Sequence, residues 1–173
     1  MKLIIMRHAE AEPAGVVPGG DNERRLTATG RTDAARMAQL AAGTRWPIAE
    51  IRTSPLARTR ETGSIVSDQF RQLRERDPKV SDPQLLVEPR LAPGFDLEPA
   101  LEILDELGSS GIALWVFHAP DVQRLAAALV GAREEAFYFT PGAMLVLNLP
   151  LPRPLGRAMI VWQNQPEYIR ELF

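Results

Sequence analysis

Six consecutive apolar residues, Ile112-Ala113-Leu114-Trp115-Val116-Phe117, constrain the fold of this chain more than any other feature. A strand with one face in water alternates apolar and polar side chains, so an unbroken run must be covered on both faces. Leu3-Ile4-Ile5-Met6 reads the same way. Around these runs the chain alternates short strand-like stretches with segments of helical spacing, the pattern of an α/β domain. The expected architecture is three-layer α/β/α: a mostly parallel sheet with helices on both faces. A single domain over residues 1–173 is long enough to bury a core unaided by staples.

The remaining elements follow from periodicity and caps. Thr27 and Thr29 open a helix bearing Met37, Leu40 and Ala41 that stops at Gly43. Residues 48–53 form a short strand, and Ile65, Val66, Phe70 and Leu73 make the apolar stripe of the next helix. Residues 74–83, charged and holding Pro78 and Pro83, read as an exposed loop. Leu85-Leu86-Val87 is a brief strand. Asp96 is an N-cap candidate for a helix carrying Leu97, Leu101, Leu104 and Leu107. Pro120 suits the first turn of a helix with Val122, Leu125, Ala126 and Leu129 inward, ending at Gly131. Residues 143–149 and 157–162 are strand-like, joined by the proline-rich stretch 150–154; the pattern leaves open whether they pair.

Composition excludes several kinds of chemistry. Without cysteine there are no disulfides, thiolate metal sites or cysteine nucleophiles. A net charge of −2 gives no electrostatic drive toward nucleic acid. No apolar run approaches the roughly 20 residues of a membrane span, and the N-terminal apolar stretch is shorter than the core of a secretion signal. The expected location is the cytoplasm. Arginine is uninformative by abundance, since Lys2 and Lys79 are the only lysines among 20 basic residues. Histidine is informative, because there are two.

Both histidines follow an apolar strand: His8 after Met6 with one residue between them, and His118 directly after Phe117. Ligands of open α/β sheets bind beyond the carboxyl ends of strands, near a switch in strand order. If the two strands are neighbours, both imidazoles share one crevice, with Arg7 beside them. The helix starting near Pro120 adds free N–H groups and the positive end of a dipole. Imidazole, guanidinium and helix start together suggest a phosphate pocket. A zinc site is the competing chemistry, but His-x-His and His-Glu-x-x-His spacings are absent.

Four segments resemble the histidine phosphatase superfamily, whose fold is that of phosphoglycerate mutase. Arg7-His8-Ala9-Glu10 is similar to its Arg-His-Gly/Ala signature, and Asp21-Asn22-Glu23-Arg24-Arg25-Leu26-Thr27-Ala28-Thr29-Gly30 to its Asp-x-x-Arg-x-Leu-Thr-x-x-Gly. Ser54-Pro55-Leu56-Ala57-Arg58-Thr59-Arg60-Glu61-Thr62 resembles Ser-Pro-Leu-x-Arg-Ala-x-Gln-Thr, and Phe117-His118-Ala119-Pro120 stands where the family carries Gly/Ser-His-x-Pro. The short length, the Arg-His-Ala variant and Trp162-x-x-x-Pro166 look most like the SixA-type phosphohistidine phosphatases.

The resemblance implies a covalent mechanism without metal or cofactor. His8 would attack phosphorus and become phosphohistidine, then be hydrolysed. Arg7, Arg58 and His118 would grip the non-bridging oxygens. Arginine suits this, because its planar fork binds phosphate oxygens in pairs. Nearby guanidinium groups should keep His8 neutral in the empty site, and bound phosphate should favour charged His118. On composition alone Arg58 could instead form a helix-surface ion pair with Glu61; Arg60 reads as structural, Arg24 as a rim residue, and Ser54 as a helix cap or phosphate contact. Glu88 is the first candidate for general acid, with Glu10 and Asp21 as alternatives. Phe117 and Ala119 depart from the family's usual residues, and Phe117 faces either the core or the crevice. The expected partner is a phosphorylated substrate, with protein phosphohistidine favoured and a shallow, open pocket to receive it. A small phosphorylated metabolite, or a domain that binds phosphate without turnover, are the alternatives.

Overall fold

The two unbroken apolar runs lie side by side. In the computed structural model, which describes residues 1–15, 18–94, 96–108, 111–150 and 155–171, β1 (Lys2–Arg7) pairs in parallel with β4 (Ile112–Phe117), Ile4 opposite Leu114 and Arg7 opposite Phe117. The described sheet has six strands in the order β3-β2-β4-β1-β5-β6. Here β2 is Glu50–Thr53, β3 Gln84–Val87, β5 Met144–Asn148 and β6 Met159–Asn164. The pairings β3-β2, β2-β4 and β4-β1 are parallel, and β1-β5 and β5-β6 are antiparallel. The two C-terminal strands thus pair with each other, with a register shift between Val146 and Leu147.

Alternation along the central strands builds the two outer layers. Leu3, Ile5, Ala113, Trp115 and Phe117 pack into one core with α3 (Leu97–Leu107) and α4 (Asp121–Val130). Ile4, Met6, Leu114 and Val116 pack into the other with α1 (Ala28–Gly43), α2 (Ala57–Arg76) and α5 (Pro166–Arg170). This is the phosphoglycerate mutase-like three-layer fold. The chain therefore leaves β1 toward the α1 face and β4 toward the α4 face. Neighbouring strands whose exits diverge open a crevice between their carboxyl ends, which is the switch point of an α/β sheet.

Several boundaries differ from the sequence reading. The helix α2 continues through Arg76 rather than yielding to a loop at residue 74, with the Asp77 N–H closing on the Leu73 carbonyl. Asp96 stands at the N-cap of α3 but its side chain makes no capping bond. Pro120 is the N-cap of α4, one residue before the first turn. The last strand begins at Met159, because the Arg157 and Ala158 N–H groups both turn to the Leu129 carbonyl. Most of the proline-rich stretch, residues 151–154, lies outside the described residues. Thr27 caps α1 as expected, its hydroxyl accepting from the Gly30 N–H at 3.0 Å. Gly30 itself admits no side chain, since a Cβ there would meet the Glu10 carbonyl oxygen at 2.0 Å. Among the described residues no helix is long and apolar enough to cross a membrane.

Candidate active site

The parallel register of β1 and β4 determines where the histidines fall. Because Arg7 stands opposite Phe117, the next residue on each strand is a histidine, and the His8 N–H donates to the Phe117 carbonyl at 2.9 Å. The ring centroids are 5.4 Å apart, with planes inclined at 58°. On the other side of β4, the Ser54 N–H donates to the Val116 carbonyl at 3.1 Å and ends β2 beside His118. Arg58 then comes from the first turn of α2.

Hydrogen bonds assign the ring nitrogens. His8 Nδ1 lies 2.8 Å from the Ala9 carbonyl, which can only accept, so Nδ1 carries the hydrogen and Nε2 keeps its lone pair. Arg58 Nε donates to that lone pair at 3.2 Å. His118 Nε2 is 2.7 Å from Ser54 Oγ, while its buried Nδ1 finds no hydrogen-bond partner among the described residues. Arg7 Nη1 donates to the Phe139 carbonyl at 2.8 Å, and its buried Nε is likewise unpartnered. Unpartnered buried polar atoms are costly and rare. Both residues thus keep one buried nitrogen without a hydrogen-bond partner among the described residues, as Thr53, Ser81, Trp115 and Gln123 also keep one buried polar atom.

Both imidazoles are held neutral. Burial is the largest cause for His8, with Arg58, Arg7 and Arg24 acting in the same sense, and its pKa falls to about 3. The dominant force is therefore desolvation, with the guanidinium groups second. His118 is lowered to about 3 by burial, by His8 and by Arg58. In the unfolded chain each ring titrates near 6.5. Between these values the unfolded state holds more protons, so stability is complete above about pH 6.5 and is lost as pH falls from there toward 3. Each histidine is expected to weaken the fold by about 2 kcal/mol at pH 5 relative to pH 7. Urea unfolding at the two pH values measures this, and His8→Ala should remove about half of the effect. Imidazole NMR resonances of the folded protein should not titrate between pH 8 and 5; a midpoint near 6.5 would contradict the assignment.

The other residues singled out in the sequence fall as follows. Glu61 does not pair with Arg58; it accepts from Arg31 Nε at 2.7 Å and from the Leu26 N–H at 2.9 Å. Phe117 is fully buried in the α3/α4 core and does not enter the crevice. Glu10 accepts from the Thr27 hydroxyl at 2.6 Å. At the α4 start three N–H groups are already engaged: that of Val122 bonds the His118 carbonyl, and those of Gln123 and Arg124 the Pro120 carbonyl. Both rings are largely covered, His8 being 8% exposed and His118 3%. Asp21 accepts from Arg58 through its carbonyl at 2.8 Å and its carboxylate at 3.0 Å.

Glu88 does not fit a proton donor. It sits at the end of β3, with β2 and β4 between it and β1. Its carboxylate accepts from Arg90 Nε and Nη2 at 2.8 Å each and from Arg52 Nη1 at 3.1 Å. Hydrogen bonding to Arg90, with the added charge of Arg52, outweighs burial and holds it below the usual carboxylate range. Glu50 and Glu106 complete this network around Arg52. A carboxylate so held is ionised at neutral pH and has no proton to give.

The last residue of the Ser54–Thr62 motif is a positioning residue. Thr62, one helical turn after Arg58, accepts from the Ala9 N–H at 3.1 Å and donates to the Arg58 carbonyl at 2.7 Å, tying α2 to the Arg-His-Ala turn. Its i+4 spacing from Arg58 was the available signal. Among the described residues no group of three or more His, Asp or Glu side chains is placed to hold a metal ion.

Comparison with known proteins bears on the fold and on the N-terminal sequence pattern. The family model of the histidine phosphatase superfamily (branch 1) matches residues 3–83. No curated protein sequence matches the chain. Among solved structures, the protein histidine phosphatase SixA complexed with tungstate is 25% identical with a TM-score of 0.79, over 98% of this chain and 99% of that one. A protein assigned as phosphohistidine phosphatase SixA from Agrobacterium tumefaciens is 21% identical with a TM-score of 0.75, covering 94% of this chain and 96% of its own. A phosphoserine phosphatase from Entamoeba histolytica, in complex with 3-phosphoglyceric acid, is 14% identical with a TM-score of 0.64, over 94% and 96%. The last two likenesses are of fold.

Proposed function

We infer that this chain, which carries the fold of the histidine phosphatase superfamily and its sequence pattern over residues 3–83, hydrolyses a phosphoryl group through a covalent phosphohistidine on His8. The observation that carries this reading is His8 Nε2, left without a hydrogen by the Nδ1–H bond to Ala9, accepting from Arg58 Nε at 3.2 Å, with the His118 ring centroid 5.4 Å from that of His8. In the first step the Arg58 Nε contact gives way, Nε2 forms a bond to phosphorus as the bond to the leaving group breaks, and the leaving atom takes a proton from solvent water. In the second, water attacks phosphorus, the N–P bond breaks and neutral His8 returns. Arg7, Arg58 and a protonated His118 hold the equatorial oxygens, where phosphoryl transfer concentrates its charge. Two guanidinium groups and an imidazolium supply the cationic charge, so no metal ion is required.

Phosphohistidine borne by a protein is the favoured substrate. An alkoxide leaving group needs a positioned acid, worth about 10²- to 10⁴-fold. Glu88 is engaged by Arg52 and Arg90, Asp21 by Arg58 and Arg24, and Glu10 by Thr27. Imidazole leaving from a labile N–P bond tolerates that lack. The test is a panel of a phosphohistidine protein, a sugar phosphate and an aryl phosphate, assayed with and without chelator. The phosphohistidine protein and the aryl phosphate should exceed the sugar phosphate by about 10²-fold or more in kcat/KM, unaffected by chelator. A sugar phosphate turned over as well as the others would point to a small-metabolite phosphatase, and binding without any turnover to a recognition domain.

A further inference from the structure

Each of the three nitrogens of the Arg58 guanidinium is engaged in the absence of any ligand. Nε donates to His8 Nε2 at 3.2 Å, Nη1 to the Asp21 carbonyl at 2.8 Å and Nη2 to Asp21 Oδ2 at 3.0 Å. The second carboxylate oxygen of Asp21 accepts from Arg24 Nε at 2.8 Å, and Arg24 Nη1 is anchored on the Glu12 carbonyl at 2.7 Å. The two ends of the main ion pair are unlike: the Arg58 side chain is 5% exposed, that of Asp21 54%. A solvated carboxylate therefore rests on a buried guanidinium.

Carboxylate and phosphoryl oxygens seek the same fork of a guanidinium. A phosphoryl oxygen that takes the place of Asp21 Oδ2 on Nη2 of Arg58 displaces that carboxylate, which, with its side chain 54% exposed, returns to water at small cost. We propose that Asp21 is an internal competitor for the phosphate cradle and sets the KM of the site. The proposal rests on the reading that Arg58 holds the substrate's phosphoryl group. A phosphoryl dianion displaces the carboxylate because it also reaches the unpartnered Arg7 Nε and His118 Nδ1, which Asp21 does not contact. An anion that satisfies Arg58 alone gains nothing over Asp21. The carboxylate thus selects for ligands that fill the whole cradle, and it reclaims Arg58 as orthophosphate departs.

The experiment compares the full-length wild type with Asp21→Asn, Glu23→Gln and Arg58→Ala, using tungstate as the binding probe in calorimetry and an aryl phosphate in steady-state kinetics. Asp21→Asn should bind tungstate about tenfold tighter and lower KM by a similar factor, without raising kcat. The gain should persist at roughly 1 M salt, where exposed charges are screened. Glu23→Gln removes a charge from the same 3-10 turn, Asp21–Glu23, and should change binding less than about twofold. Unchanged or weaker binding in Asp21→Asn, or an equal gain in Glu23→Gln, overturns the proposal. Arg58→Ala separates the two levels: if it abolishes tungstate binding, the reading of the cradle stands whatever Asp21 does; if it binds like wild type, both fail. Should Asp21→Asn not fold, a tungstate-bound crystal structure of the unmodified chain decides. Asp21 Oδ2 should then be off Arg58, and tungstate and carboxylate together on that guanidinium would overturn the proposal.

Discussion

Replacing His8 with alanine is expected to lower kcat by about 10⁴- to 10⁶-fold, the scale at which removal of a covalent nucleophile acts. No neighbouring group can take over the attack. The His118 ring is turned to Ser54 through Nε2, Asp21 is held by Arg58 and Arg24, and Glu10 by the Thr27 hydroxyl. The fold should survive, because the backbone bonds around residue 8 do not involve the ring: the His8 N–H to the Phe117 carbonyl, and the Gly142 N–H to the His8 carbonyl at 2.9 Å. Losing a ring whose charged form is excluded should also flatten the acid side of the stability curve. Rapid-quench experiments with a labelled phosphoryl donor provide the direct measurement. Wild type should accumulate an acid-labile, alkali-stable phosphoenzyme and His8→Ala none. A variant that kept most of its rate, or still became labelled, would move the nucleophile elsewhere.

Arg58→Ala should cost about 10³-fold in kcat/KM, near 4 kcal/mol of transition-state stabilisation. The residue does three things at once. It donates to the lone pair of His8 through Nε and helps keep His8 unprotonated, and on the proposed reading its fork receives the phosphoryl oxygens. Arg58→Lys should recover less than about a tenth of the loss, since an ammonium cannot keep the Nε contact and present a planar pair of donors together. A lysine variant near wild-type rate would reduce Arg58 to a point charge and remove the argument from geometry. Thr62 holds the Arg58 carbonyl from the next turn, so the backbone at residue 58 should be unaffected by either substitution.

The layers and the place of the crevice were legible because unbroken apolar runs admit few solutions, and because the scarce histidines stood at their ends. What was not legible depends on register and on charge. Whether Phe117 faces core or crevice depends on the face it shares with Leu3 and Ile5, which the pairing with β1 decides. Glu88 stands at a strand end, as the site residues do, but its fate is set by Arg52, Arg90 and Glu106, and in a chain so rich in arginine no single one announces its partner. Asp21 reaches Arg58 across 37 positions, beyond any helical or strand spacing. The engagement of the α4 N–H groups follows from the backbone at Ala119 and Pro120, which no side-chain pattern encodes.

The position of β4 has a consequence for the chain during its synthesis. β1 and β2 are successive strands, yet they must leave a gap one strand wide for β4, which arrives from more than a hundred residues beyond β1. Every bond that brings His118 to His8 crosses that gap. A nascent or truncated polypeptide ending before residue 118 can contain the Arg-His-Ala turn and all of α2, but only half of a reaction centre. On the proposed reading, joint action of His8 and His118 therefore requires insertion of β4 between β1 and β2.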